Sequence, residues 1–441
     1  MSTTGLSYDF VAPSRIVFGW GRGREVGALA RSLGRRAFVV CGSHTLESNG
    51  ALHEIIESLR GAGVDTVRTE IISREPLVDD VDRSVAFLRE NRAGAGDLVL
   101  AVGGGSAIDL AKAAGALVTQ DATISVLDYL EGVGQGLKIE NTPLPVLAMP
   151  TTGGTGSEAT KNAVISSYDP PFKKSLRSDL MVPRIVLVDP ELSVSVPPHI
   201  TACTGMDAIT QLIESLISQR ATSATMQIAT RGLYLAVPPR TRWGTGLPEG
   251  EIAFVPVIEA YRDGAARSAR EQMAQAALLS GMALSNSGLG MAHGVAAALG
   301  VHCNIAHGLA CAVMLPVALR TNLEVEDVQR RFLSVANFLG AQRWQVQDPF
   351  SRETTAQSRI PRPSLATPIE RRRSRESLVY EIVEKIEHVL LELKIPRRLS
   401  EIGVKREQIP LLVRDARGNS MSGNPRELSD EELTKILEEM L

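Results

Sequence analysis

Three of the seven histidines in this 441-residue chain, His293, His302 and His307, fall in one apolar stretch, GLGMAHGVAAALGVHCNIAHGLACAVMLP, from Gly288 to Pro316. Imidazoles gathered into otherwise hydrophobic sequence are candidates to hold a ligand; hydrogen-bonded core histidines are the plain alternative. A second polar intrusion lies in TGMDAITQLIESLIS, 204–218, where Asp207 and Gln211 stand four residues apart and share one helix face. A carboxylate on a helix with apolar flanks needs a counter-charge or a cation. One carboxylate, two imidazoles and an amide oxygen, from Asp207, His293, His307 and Gln211, would make a four-ligand site for a divalent metal.

Two loops have the composition of a phosphate cradle. DLVLAVGGGSAIDLAKA, 97–113, sets Gly103, Gly104, Gly105 and Ser106 between an apolar strand and a helix. Glycines let the backbone approach an anion, and the helix N-terminus offers unpaired N–H groups. The run is not GxGxxG, so a standard Rossmann fingerprint is not implied, and GWGRG at 19–23 reads as a turn. PTTGGTGSEAT, 150–160, places Thr151, Thr152 and Thr155 directly after another apolar strand. Both loops stand at carboxyl ends of expected strands, where an open sheet holds a nucleotide. Lys174, after a proline turn, is a candidate to meet a phosphate or a developing negative charge.

The elements that must position these residues change character along the chain. Up to Met149, apolar strands (15–19, 37–41, 66–71, 97–102, 144–149) alternate with helices (25–33, 46–60, 78–91, 107–117), which predicts a parallel or mixed sheet covered on both faces. Short strands follow at 164–167, 173–177 and 185–188, with a hairpin at the sheet edge expected among them. Beyond Pro197-Pro198 the periodicity is helical at 201–218, 221–236, 268–285 and 289–299, with Thr201 as the expected N-cap, and the tail adds helices at 378–393 and 430–440. The division falls at an α/β half, 1–197, and a helical half, 198–441, with a Pro/Gly-rich loop at 237–250 and an irregular insertion about 344–376. The run RRRSR at 371–375 reads as solvated charge.

Apolar residues are 44% and charged residues 22%, as in an ordinary soluble domain, and a net charge of −3 gives no case for nucleic acid or an anionic membrane. Cys41, Cys203, Cys303 and Cys311 show no CxxC spacing and read as buried thiols in a reducing compartment. The start MSTTGLSYDF lacks a basic region followed by an apolar core, and no run of 18 apolar residues occurs, so neither a secretory signal nor a membrane span is expected.

Together GGGSAID, PTTGGTGSEAT, DPELSVSVPPHITACTGMDAI and GLGMAHGVAAALG with AHGLACAVMLP resemble the iron-dependent (group III) alcohol dehydrogenases over about 10–320, with a looser tail at 397–441. The resemblance implies an α/β N-terminal dinucleotide-binding domain and an all-α C-terminal domain, the architecture shared with dehydroquinate synthase, with the active site in the cleft between them. It implies NAD(P)-dependent interconversion of a small alcohol and an aldehyde or ketone. By position, the family's metal aspartate falls on Asp207 and its two later metal histidines on His293 and His307. The remaining metal histidine falls on Gln211, and a further active-site histidine on Ala297, so the chain departs at both. His302 is a candidate substitute relay or a structural residue. The pyrophosphate loop falls on Gly103 to Ser106 with Asp109 beside it, the second loop on Thr151, Thr152 and Thr155, and Lys174 matches a lysine near the cofactor phosphates or nicotinamide.

Glutamine is a weak neutral oxygen donor, which leaves the expected metal as Fe(II) or Zn(II), with a site that works without metal, as in some metal-free relatives of the family it resembles, as the alternative. Gly42 stands where NAD-preferring members carry an aspartate, so NADP is expected to be accepted alongside NAD, with Ser43 or His44 at hand for a 2′-phosphate. A cytoplasmic homodimer or higher homo-oligomer is expected from the same resemblance. Two rival expectations stand: a maleylacetate reductase-like enzyme or dehydroquinate synthase relative, which would need basic residues in the cleft for a carboxylated keto substrate, and a catalytically inactive nucleotide-binding relative.

Overall fold

The computed structural model describes residues 7–237, 255–338 and 382–441. The insertion at 344–376, with its RRRSR run, and all of the 237–250 loop beyond Val237 lie outside the described residues.

Six strands build one all-parallel sheet: β1 (Arg15–Phe18), β2 (Arg36–Cys41), β3 (Asp65–Arg68), β4 (Asp97–Gly103), β5 (Val146–Pro150) and β8 (Ile185–Val188), in the order β1-β8-β5-β4-β2-β3. Every residue of β4, β5 and β8 is buried, because helices cover both faces of a parallel sheet and apolar side chains are needed on each. The covering helices are α1 (Val26–Arg31), α2 (His44–Ser48), α3 (Ala51–Gly61), α4 (Val78–Glu90) and α5 (Gly105–Leu117). Two apolar cores result, one on each face. The chain leaves β2 toward β3 on one side, and leaves β4 toward β5 on the other. Their carboxyl ends therefore flank a topological switch point, where divergent loops open a crevice.

Three sequence expectations are corrected. The helix expected over 46–60 is two, α2 and α3, broken at Asn49-Gly50. The expected edge hairpin, β6 (Asn162–Tyr168) and β7 (Pro171–Arg177), is a separate antiparallel ribbon, while β8 inserts between β1 and β5 because all four of its residues are apolar and buried. Thr201 is not the N-cap of the helix that carries Asp207. That helix, α6 (Pro198–Ile217), starts earlier on Pro198, whose fixed φ suits a first turn, and Thr201 lies inside it with Oγ1 accepting from Arg270 at 3.0 Å.

The helical half comprises α6, α7 (Ser223–Ala236), α8 (Val255–Arg262), α9 (Arg267–Ser287), α10 (Met291–Cys303), α11 (His307–Asn322), α12 (Glu326–Phe338), α13 (382–392), α14 (Ile409–Asp415) and α15 (Asp430–Glu439). Of the seventeen positions of α6 from Thr201 to Ile217, all but Cys203 and Thr204 are buried, so this helix is the axle of the half. α10 and α11 are joined by 304–306 only, with Asn304 in the left-handed conformation (φ 54°), a corner tight enough to bring the N-terminal turns of both helices to α6. Among the described residues no single helix is long and apolar enough to cross a membrane.

Candidate active site

One cleft of about 820 Å³ is lined by residues of both halves. On the sheet side it is walled by Gly42 and Ser43 after β2, Gly104, Gly105 and Ser106 after β4, and Thr151, Thr152 and Thr155 after β5. Gly103 does not line it. It is the pivot beneath, at φ 154°, where a Cβ would stand 2.8 Å from the Ala107 methyl. The first N–H groups of α5 point out of the helix toward this crevice, a ready anion site.

The two phosphate-cradle loops are tied together from below. Asp109 lines the cleft, yet its carboxylate accepts from Ser157 Oγ, from Val164 N at 3.0 Å and from Lys112 Nζ at 3.0 Å. Lys112 is wholly buried and also donates to Ser157 O (2.8 Å), Ser157 Oγ (3.0 Å), Thr160 Oγ1 (2.9 Å) and Asn162 O. Beside it, burial raises the Glu158 carboxyl from 4.5 to about 7.

On the helical side, Asp207 (α6), His293 (first turn of α10) and His307 (first residue of α11) converge. His293 Nε2 lies 3.2 Å from Asp207 Oδ1, His307 Nε2 lies 3.9 Å from the same oxygen, and the ring centroids are 5.5 Å apart. Burial opposes charge on Asp207, but His307 and His293 hold its carboxyl below the usual range. Burial, then the Lys173 ammonium, lowers the His307 imidazole to about 4, so it is neutral, with one ring nitrogen able to offer a lone pair. Burial works against a charged His293 too, and is outweighed by its contacts with Cys311, Asp207 and Glu214, which raise its pKa well above the ordinary value.

The remaining expected site residues take other places. Gln211 lines the cleft, and its Oε1 accepts from Ser280 Oγ at 2.6 Å. Ala297 is on the wall. His302 turns to Asp415 (2.6 Å) and ties α10 to α14, which makes it structural. Lys174 lines the cleft, while its neighbour Lys173, paired with Glu75 at 2.6 Å, is the lysine whose charge reaches His307.

Two residues went unnoticed in the sequence. Glu214, buried on α6, accepts from His293 Nδ1 at 2.7 Å, and from the N–H groups of Gly290 (3.0 Å) and Ala292 (2.6 Å). It therefore caps α10 and fixes the His293 ring with Nε2 toward Asp207. Cys311, one turn along α11 from His307, places Sγ 3.7 Å from His307 Nε2. A ligand atom from each of Asp207, His293, His307 and Cys311 lies within 4.8 Å of all the others.

Residues 13–190 match the iron-containing alcohol dehydrogenases, and residues 252–441 match the C-terminal part of the Fe-containing alcohol dehydrogenase family. This chain belongs to the iron-containing alcohol dehydrogenase family. It is 30% identical to long-chain-alcohol dehydrogenase 1 of Geobacillus thermodenitrificans (strain NG80-2), over 91% of this chain and 90% of that protein. It is 28% identical to the NAD-dependent methanol dehydrogenase of Bacillus methanolicus, over 98% and 100%. A crystal structure of a 1,3-propanediol oxidoreductase superposes with a TM-score of 0.80 at 26% identity, covering 99% of this chain and 100% of that one. The α/β half and the helical half are thus the two parts of an iron-containing alcohol dehydrogenase, an NAD(P)-dependent oxidoreductase of alcohols.

The side chains of this alcohol dehydrogenase fit a divalent cation. Asp207 is 1% exposed, and its Oδ2 has no hydrogen-bond partner among the described residues, an arrangement that costs several kcal/mol for a buried carboxylate and that a cation would relieve. His307 Nδ1 is buried and unpartnered as well.

Proposed function

We propose that this enzyme interconverts a small neutral alcohol and its aldehyde or ketone, using NAD(P) bound across Gly104–Ser106 and Thr151–Thr155 and a divalent ion held by Asp207, His293 and His307. The observation that carries the reading is that the glycine and threonine loops and the carboxylate–imidazole cluster line one cleft. A divalent ion at that cluster supplies Lewis acidity toward the substrate oxygen, and a nicotinamide supplies or accepts the hydride.

The chain's own residues do the positioning. The first turn of α5 and the hydroxyls of Ser106, Thr151, Thr152 and Thr155 bind the cofactor phosphates, and the Asp109–Lys112–Ser157 network keeps both loops in register. Glu214 keeps His293 in one tautomer. Burial, and after it the Lys173 charge, keeps His307 neutral, and Lys174 adds positive charge to the cleft wall. With alanine at 297 and His302 turned to Asp415, the proton leaves through solvent in the cleft.

Among the described residues, the lysines and arginines on the cleft are Lys173, Lys174, Arg177 and Arg417, and Lys173, Arg177 and Arg417 pair with Glu75, Glu131 and Asp430. Lys174 has no ion pair among the described residues, and a single unpaired lysine favours a neutral substrate over a dicarboxylate. Gly42 and Ser43 border the adenosine end with no carboxylate to repel a 2′-phosphate, and a Cβ on Gly42 would stand 2.7 Å from Ala107. NADP(H) is therefore accepted alongside NAD(H). A cytoplasmic setting, where four free cysteines stay reduced, a homo-oligomeric state and a division at 197/198 complete the proposal.

The test is oxidation of NADPH and NADH by the purified enzyme against a panel of neutral aldehydes and ketones and a panel of keto dicarboxylates. Turnover confined to the neutral panel is expected. Turnover confined to dicarboxylates would favour the maleylacetate reductase-like reading, and cofactor binding without turnover on either panel would favour an inactive relative.

A further inference from the structure

Resting on the metal-site reading above, we propose that Cys311 supplies a thiolate as the fourth ligand of the centre, in the place Gln211 leaves weak, and that the resulting Asp–His–His–Cys set favours zinc over iron.

Four observations carry this. The sulfur faces the cluster from one helical turn below His307, the i, i+4 spacing that puts two side chains on one helix face. The spacing suits one small ion. With zinc arms of roughly 2.0–2.3 Å to nitrogen, oxygen and sulfur, a tetrahedral set needs donors roughly 3.3–3.6 Å apart. Three of the six separations are 3.2 Å (Asp207 Oδ1 to His293 Nε2), 3.7 Å (Cys311 Sγ to His307 Nε2) and 3.9 Å (Asp207 Oδ1 to His307 Nε2), and all six lie within 4.8 Å, close enough to contract onto one ion. The Asp207 Oδ2 atom is buried beside them with no hydrogen-bond partner among the described residues, which points to a cation there. Finally, the Gln211 amide oxygen already accepts the Ser280 hydroxyl at 2.6 Å, whereas Cys311 is fully buried with its contacts inside the cluster.

Ligation is a balanced exchange. The Cys311 S–H bond breaks, its proton goes to solvent, and the sulfur electron pair forms the metal–sulfur bond, with no change of oxidation state. A soft thiolate beside two imidazoles suits zinc and cobalt(II), whereas carboxylate and water donors suit harder ions.

The experiment uses the full chain, stripped with a chelator and titrated with Co(II) under reducing, anaerobic conditions. Wild type is expected to show visible d–d bands together with a near-ultraviolet sulfur-to-cobalt charge-transfer band. Cys311→Ser is expected to keep the d–d bands and lose the charge-transfer band. Its Zn(II) affinity is expected to fall at least about tenfold, the lower bound for losing even an outer partner of a ligand, and more than its Fe(II) affinity. Cys203 also lines the cleft, so Cys203→Ser serves as the control and keeps the band. Cobalt-loaded wild type without a charge-transfer band, or a band that survives Cys311→Ser, overturns the thiolate ligand while leaving the metal site standing. Wild type that takes up no cobalt overturns the metal site and the thiolate together. The wild-type spectrum needs no variant to fold, so the proposal stays testable if Cys311→Ser misfolds.

Discussion

Glu214 gives up both carboxylate oxygens to one short stretch of chain, accepting three backbone N–H groups at the start of α10 and the Nδ1–H of His293. A glutamine there can offer one oxygen and would present an N–H to the same donors. Glu214→Gln is therefore expected to weaken divalent-metal affinity about 10–100-fold, read by competition against a metal-sensitive dye, and to lower helix stability by about 1 kcal/mol. The signal was present in the sequence: 207, 211 and 214 are i, i+4 and i+7, one polar stripe on an apolar helix. Glu214 extends the Asp207–Gln211 stripe by one turn and is legible there as a third polar position. Cys311 is not legible, for a different reason. A single cysteine without a partner cysteine nearby reads as core, and only the α10–α11 corner shows what its helix face meets.

Glu158 carries a pH dependence of definite sign. Burial raises its folded carboxyl to about 7 against 4.5 in the unfolded chain, so folding takes up a proton between those values. Its contribution to stability is intact below about pH 4.5, falls as pH rises through about 7, and then levels off. Glu158→Gln should match wild type at pH 4.5 and exceed it at pH 8 by on the order of 3 kcal/mol. Urea unfolding at both values measures the difference; equal gains at the two pH values would show that the carboxyl is ionised in the fold.

At the scale of elements, the loop after β5 is fixed from two directions. Lys112 on α5 draws Ser157, Thr160 and Asn162 together, and α9 presses against it where a Cβ on Gly281 would overlap the Gly156 carbonyl oxygen. Gly156 itself sits at φ 61°, which a larger residue adopts only with strain. Lys112→Met leaves Asp109 buried beside a lost cation and is expected to cost about 3–5 kcal/mol, read from urea denaturation. Gly281→Ala should destabilise by about 1–3 kcal/mol and weaken NADPH binding, read by quenching or enhancement of NADPH fluorescence, because the helix and the Thr151–Thr155 loop cannot both keep their places.

Element type was the most legible part of the sequence. β4 and β5 were readable because a buried parallel strand is a short apolar run with glycine or proline at its end, and α9 and α10 because their periodicity spans several turns. Errors came where local pattern and tertiary pairing part company. The all-apolar run of β8 marks a buried strand, but nothing local gives its pairing between β1 and β5, or the pairing of β6 with β7 as a separate ribbon. The role of Lys173 is not legible beside Lys174 because its partner, Glu75, lies 98 residues away in sequence.

For the whole molecule, the cleft joins a nucleotide crevice at a sheet switch point to a carboxylate–imidazole cluster on helices, and neither half holds a complete site. On the proposed placement of the adenosine beside Gly42, a residue with no carboxylate to repel a 2′-phosphate, kcat/KM with NADPH should equal or exceed that with NADH; a ratio strongly favouring NADH would contradict this. The central claim is that Asp207 anchors a divalent ion on which turnover depends. It is tested most directly by elemental analysis of wild type and Asp207→Ala, paired with NADPH-linked reduction of the best aldehyde. Wild type should hold a divalent ion and turn over, and Asp207→Ala should lose metal and activity together while keeping NADPH binding. An Asp207→Ala enzyme that is free of metal and still active would contradict the account.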